Sequence, residues 1–122
     1  MVETQTHGKK GFGNQGEAQA ISHLEAHDLR LVAQNYRCDH GEIDLIMQHE
    51  QTLVFVEVKH RSDENFATVV EQISAAQCRR IRRAAQYFLM SQQLDEHRVQ
   101  MRFDVVAIVD NPTQLHWLVD AF

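Results

Sequence analysis

Cysteine, proline and positive charge are all scarce in this chain, and each shortage closes off a class of protein. Two cysteines in 122 residues, Cys38 and Cys78, cannot build a disulfide framework, and neither belongs to a Cys-x-x-Cys pair. A reducing, cytoplasmic setting is the expectation. No apolar run approaches the ~18 residues of a membrane span. The opening residues MVETQTHGKKGFGNQ also lack the apolar core of a signal peptide, so no membrane role is expected. Twelve Lys and Arg stand against 17 Asp and Glu, for a formal net charge of −5. No global basic field draws in nucleic acid, and any attraction must come from a local patch. Aromatics are only 7% of the chain and form no stacking stripe. The single proline lies in Asp110-Asn111-Pro112-Thr113, which reads as a turn.

What remains is an ordinary globular composition, 43% apolar and 24% charged, long enough for one domain with a core of its own. Residues 1 to 12 read as a flexible N-terminal arm and 13–122 as one domain. A helical pattern runs from about Asn14 to Asp28, with Ile21 and Leu24 on its buried stripe. Leu29 to Arg37 reads as a first strand, and Asp39, His40 and Gly41 as the turn after it. A second helix spans about Ala67 to Gln92, with Val70, Ile73, Ile81, Ala84 and Phe88 on one face. Met101 to Val109 and Leu115 to Val119 read as two further strands. The order is α-β-β-β-α-β-β, an α/β fold with a mixed sheet and helices packed on it.

The middle of this order, GEIDLIMQHEQTLVFVEVKHR from Gly41 to Arg61, reads as a β-hairpin. Ile43, Leu45 and Met47 alternate on one arm, and Val54, Val56 and Val58 on the other, which predicts one buried face. The opposite face carries Asp44, Glu57 and Lys59. A turn at Glu50 and Gln51 would place 49 opposite 52, 47 opposite 54 and Asp44 opposite Glu57. Directly opposed like charges are destabilising, their Cβ atoms being only ~5 Å apart. A divalent cation relieves that conflict, since Mg²⁺ takes hard oxygen ligands and is commonly held by one or two carboxylates. Two acids, a lysine and such an ion are the parts for phosphodiester hydrolysis. The plain alternative is a surface hairpin in which Lys59 neutralises Glu57.

Glu17 falls in the middle of the first helix's apolar stripe, where a carboxylate is costly unless it is paired or meets a metal. A helix-capping role is the alternative. His23 and His27 in HLEAH are not the zinc motif H-E-x-x-H, and both fall off the stripe, so they read as solvated. Of His40, His49 and His60, only His60 lies close to the acids in sequence. Gln77 falls inside the second helix's apolar stripe and could lean toward the hairpin's charged face. Arg79, Arg80, Arg82 and Arg83 form a local basic cluster on the same helix, suited to phosphates if it is more than a solvated face. Asp104 has no spacing that places it with the other acids.

An acid followed thirteen positions later by Glu-x-Lys, here Asp44 and Glu57-Val58-Lys59, resembles the PD-(D/E)xK nuclease superfamily. More closely, GEIDLI and LVFVEVKHR, with Gly16-Glu17 upstream and Arg102-Phe103-Asp104-Val105-Val106 downstream, resemble the YraN-like bacterial family over roughly residues 13 to 110. The resemblance implies a restriction-endonuclease-like αβββαβ core and Mg²⁺-dependent cleavage of DNA, with Mn²⁺ as a substitute. It implies metal ligation by Asp44, Glu57 and the backbone carbonyl of Val58, with Glu17 as a helix-borne acid and Lys59 assisting the water. Similarity to archaeal Holliday-junction resolvases extends the expected substrates to branched or damaged DNA, and a symmetric homodimer would suit two-strand cutting. Three positions depart from the expected pattern. Ile43 stands where the superfamily has proline, Gln77 where a lysine is expected, and acidic Asp63-Glu64 in the loop after the Glu-x-Lys strand. A non-catalytic nucleic-acid-binding module on the same fold is the alternative, and an interaction protein with a structural ion-pair cluster is a third.

Overall fold

The computed structural model describes residues 12–61, 73–109 and 114–122. They form helix α1 (Phe12–Glu25), strands β1 (Arg30–Cys38), β2 (Gly41–His49) and β3 (Thr52–Arg61), helix α2 (Ala75–Ser91), and strands β4 (Gln100–Val109) and β5 (Gln114–Leu118). The five strands make one mixed sheet in the order β1-β2-β3-β4-β5, with only β3 and β4 parallel. Tight turns join β1 to β2 and β2 to β3. The parallel step needs a crossover, and α2 lies on it.

The sheet is covered on both faces. Phe55, Leu53, Ile46 and Phe103 meet Ile81, Ala84, Ala85, Phe88 and Leu89 of α2 in one core. Leu45, Met47, Val54, Val56, Val106 and Ile108 meet Ala20 and Leu24 of α1 in the other. Period-two alternation in β3 therefore sends Val54, Val56 and Val58 toward α1, and Leu53, Phe55, Glu57 and Lys59 toward α2. Phe55 is fully buried and stacks on Phe103 at 5.4 Å. Burying a side chain of this size contributes roughly 2–3 kcal/mol.

Most element boundaries fall where the pattern puts them, and the differences have identifiable causes. The second helix begins at Ala75, not near Ala67, because Ser74 caps it by accepting from the Gln77 backbone N–H at 3.0 Å. Val70 and the turn at 110–113 lie outside the described residues, as do the loop from Asp63 to Ala67 and nearly all of the expected N-terminal arm. Ile43 does not share a face with Leu45 and Met47; it joins the α2 core. The β2–β3 ladder pairs His49 with Thr52 and Met47 with Val54 as expected, but its last pair is Leu45 with Val56. Asp44 thus lies just beyond the ladder, where the strict alternation of β2 is broken.

The solvated reading holds for His27 and only in part for His23, which is half-buried. His27 is exposed, but its Nδ1 lies 2.9 Å from the His23 carbonyl oxygen, and the two rings pack edge-on against Trp117 at 5.4 and 5.9 Å. Burial and the neighbouring His27 lower the His23 pKa. Sequence distance hid this contact, because Trp117 reaches α1 only through the sheet.

Candidate active site

The acids, the lysine and the amide are brought together where β2 and β3 part beneath α2. Leaving the ladder frees the Asp44 side chain to turn back on β3, and its Oδ2 accepts the Val58 backbone N–H at 2.8 Å. A residue in an extended strand sends its N–H and C=O to the same side, so the Val58 carbonyl also points toward the β2 side. On the α2 face of β3, Glu57 Oε2 receives Lys59 Nζ at 3.3 Å and Gln77 Nε2 at 2.9 Å. The Glu57 and Lys59 side chains keep only 11% and 17% of their exposure, so this ion pair is not a solvent-screened surface contact. Gln77 does lean onto the charged face, and as an amide it supplies a donor without a second positive charge.

Electrostatics follows from this crowding. Burial first, and Glu57 second, push the Asp44 carboxyl well above its ordinary pKa, with smaller pushes from Glu17 and Glu42. Burial likewise raises Glu57, while Lys59 pulls it down. The acids open onto a cavity of about 400 Å³ bordered by Arg37, Glu42, Gln77 and Arg80. Arg37 and Glu42 pair at 3.0 Å in an exposed bridge on its border.

Glu17 is buried as its helical position predicts, on the α1 side. Its Oε1 accepts from Asn35 Nδ2 at 3.1 Å and Gln34 Nε2 at 3.4 Å, amides supplied by β1. Asn35, within β1, adopts a left-handed backbone (φ 54°), a conformation asparagine tolerates better than most residues. Neither amide was visible as a partner from spacing alone. Glu17 acts on Asp44 through its field. Among the described residues, no three His, Cys, Asp or Glu side chains converge closely enough to share a metal ion. A hard cation here would rest on two carboxylates, with backbone oxygen and water completing its shell. That is the manner in which Mg²⁺ is commonly held, and the all-oxygen donor set suits it.

The arginine cluster divides. Arg80 borders the acids' cavity, and Arg79 and Arg83 flank a second hollow beside it. Arg82 turns to the other flank of α2 and covers the Phe103 ring at 4.5 Å. His60 lies on the opposite face of β3, where its ring approaches Gly16 of α1. Asp104 belongs to a separate network. It is fully buried, held twice by Arg102 Nε at 3.0 and 3.2 Å, by Trp117 Nε1 at 2.9 Å and by the Asp120 N–H at 2.9 Å. Every oxygen of that carboxylate is engaged, which marks it as structural.

Comparison with known proteins adds a family. A family model described as "Uncharacterised protein family UPF0102" matches residues 16–108. The UPF0102 protein of Idiomarina loihiensis is 46% identical over 110 residues, covering 90% of this chain and 95% of its own. The UPF0102 protein of Shewanella oneidensis is 51% identical over 111 residues, covering 91% and 98%. The matched span takes in Glu17, the hairpin with both acids and Lys59, and all of α2. The chain therefore belongs to the uncharacterised protein family UPF0102, the YraN-like family its motifs resemble.

Proposed function

We propose that this protein is a metal-dependent endonuclease that hydrolyses phosphodiester bonds in DNA, on a restriction-endonuclease-like core of the PD-(D/E)xK type. The observation that carries the reading is that Asp44 and Glu57 line one cavity, with Lys59 and Gln77 both bonded to the Glu57 carboxylate. Two half-buried carboxyl groups kept together at a cavity, with an amine on one of them, form a site that a cation would complete. A purely structural pair gains nothing from opening onto solvent-filled space. The mixed five-stranded sheet with a helix on each face is compatible with that core.

Each residue has a task. Asp44 and Glu57 would hold Mg²⁺, with Mn²⁺ as a substitute and the Val58 carbonyl as a third oxygen. When bound, the ion lowers the pKa of a water and neutralises charge on the phosphoryl oxygens. The Val58 N–H fixes the Asp44 carboxylate in one rotamer, which preorganises the acid. Lys59 holds Glu57, and its ammonium would orient the attacking water and offset charge developing at phosphorus. Gln77 keeps the Glu57 carboxylate aimed from above. Glu17 reinforces the negative field that favours a cation and takes part through water. Arg80, on the cavity border, meets the phosphate backbone.

The test incubates plasmid, linear duplex and four-way-junction DNA with the protein in Mg²⁺ or Mn²⁺, alongside Asp44→Asn and Lys59→Ala. Cleavage lost in both variants is expected. DNA binding without cleavage, unchanged in both variants, overturns the enzyme reading in favour of a non-catalytic nucleic-acid-binding module. The arginine-bearing flank of α2 is the observation that keeps this module as the second reading.

A further inference from the structure

The sequence has no aromatic stripe, yet the fold builds a two-ring platform from residues 47 positions apart. His40, in the turn between β1 and β2, stacks on Tyr87 of α2 with centroids 4.6 Å apart and planes 19° from parallel. The turn is locked in place by close approach. A Cβ on Gly41 would lie 3.1 Å from the Arg80 carbonyl oxygen, a tight contact that glycine avoids where the turn sits this near the helix. Tyr87 keeps 41% of its exposure although it is a large ring. Beside the rings lies a hollow of about 220 Å³ lined by His40, Ala76, Arg79, Arg80 and Arg83. No carboxylate among the described residues pairs with these three arginines. Arg80 also lines the cavity of Asp44 and Glu57, so the hollow and the acids share one wall.

We infer that this groove holds a single-stranded nucleic-acid segment leading to the carboxylates. One unpaired base adds to the His40–Tyr87 stack as a third member. The adjoining phosphates lie on Arg79 and Arg83, and Arg80 hands the backbone on toward the acids. Stacked aromatics with cationic neighbours bind single strands with little sequence preference, because every base has a π-face. A base inside a duplex presents no free face, so the platform discriminates in favour of frayed, flapped or branched ends. The inference rests on the nuclease reading only for where the scissile phosphate goes.

The test measures fluorescence anisotropy of labelled oligothymidylate and of a duplex of equal length, in EDTA so that cleavage plays no part. The single strand is expected to bind about tenfold more tightly than the duplex. Tyr87→Ala loses about tenfold of that affinity and Tyr87→Phe retains it. The double change Arg79→Ala, Arg83→Ala lowers the slope of log affinity against log salt by about 1.4. Duplex binding equal to single-strand binding, or a Tyr87→Ala variant with unaltered affinity, overturns the proposal. Single-strand binding that behaves as stated, from a protein that never cleaves in Mg²⁺ or Mn²⁺, supports this groove and sinks the nuclease reading alone. Duplex cleavage that proceeds identically in wild type and Tyr87→Ala does the reverse.

Discussion

Asp44 is held not by its strand partner but by the backbone of Val58, whose N–H donates to the carboxylate at 2.8 Å. This bond replaces the ladder pair that β2 would otherwise have made at the end of the hairpin. It holds a carboxyl group in surroundings that raise its pKa, so the bond stabilises a side chain whose charge is itself unfavourable.

Replacing Asp44 by Asn is therefore expected to stabilise the metal-free protein at neutral pH while abolishing cleavage. The Asn side-chain oxygen can still accept from Val58, and the like-charge conflict with Glu57 disappears. Both acids have folded-state pKa values raised above their unfolded ones. Their favourable contribution is thus complete below the unfolded value, about 4, and is lost as pH rises through the folded values. Calorimetry across pH should show wild-type stability falling over that window and the variant's curve flatter, with a gain on the order of 1 kcal/mol above it. A variant less stable than wild type at pH 8 would contradict the account.

Divalent metal should reverse the penalty. Mg²⁺ or Mn²⁺ is expected to raise the melting temperature of wild type and leave Asp44→Asn unmoved. Because both acids have raised pKa values and must be deprotonated to ligate, apparent affinity rises with pH and binding releases protons, measurable by titration calorimetry in buffers of different ionisation enthalpy. Binding that is indifferent to pH would exclude these two carboxylates as ligands.

Lys59→Ala separates positioning from folding. Its loss should cut cleavage by about 10²-fold or more, in line with removing one preorganised electrostatic group. Since Lys59 lowers the Glu57 pKa, the variant's Glu57 should titrate at higher pH, followed by carboxyl carbon NMR. Glu17→Gln should move Asp44 the other way, because the Glu17 charge raises the Asp44 pKa. An unmoved Asp44 signal would confine Glu17 to holding Asn35 and Gln34.

Asp104→Ala should do the opposite of Asp44→Asn. It strips a buried partner from Arg102, Trp117 and the Asp120 backbone, and is expected to cost about 3 kcal/mol or more by chemical denaturation. The residual folded protein should still bind divalent metal, since Asp104 lies on the α1 side of the sheet, away from Glu57.

Much of this was legible from residue order. Alternation gave the hairpin and its turn, and the wheel position of Glu17 gave its burial. Gln77 in an apolar stripe pointed to a partner, found in Glu57. The misreadings share one cause, which is that local periodicity assumes uninterrupted ladders and carries no information across the fold. Ile43 changed faces because the ladder stops at Leu45. The partners of Glu17 come from a stretch of β1 where Asn35 has a left-handed backbone, and the stack of His40 on Tyr87, like that of the histidines on Trp117, joins residues that only the fold brings together.

The parallel pairing of β3 with β4 has a kinetic corollary. A hairpin can form early from local contacts, whereas β4 can dock beside β3 only after the intervening segment has looped back and laid α2 on the sheet. Glu57 and Lys59 are then present on a nascent hairpin without the Gln77 amide or Arg80 over them. On the nuclease reading, competence for cleavage would arise only at this final assembly step.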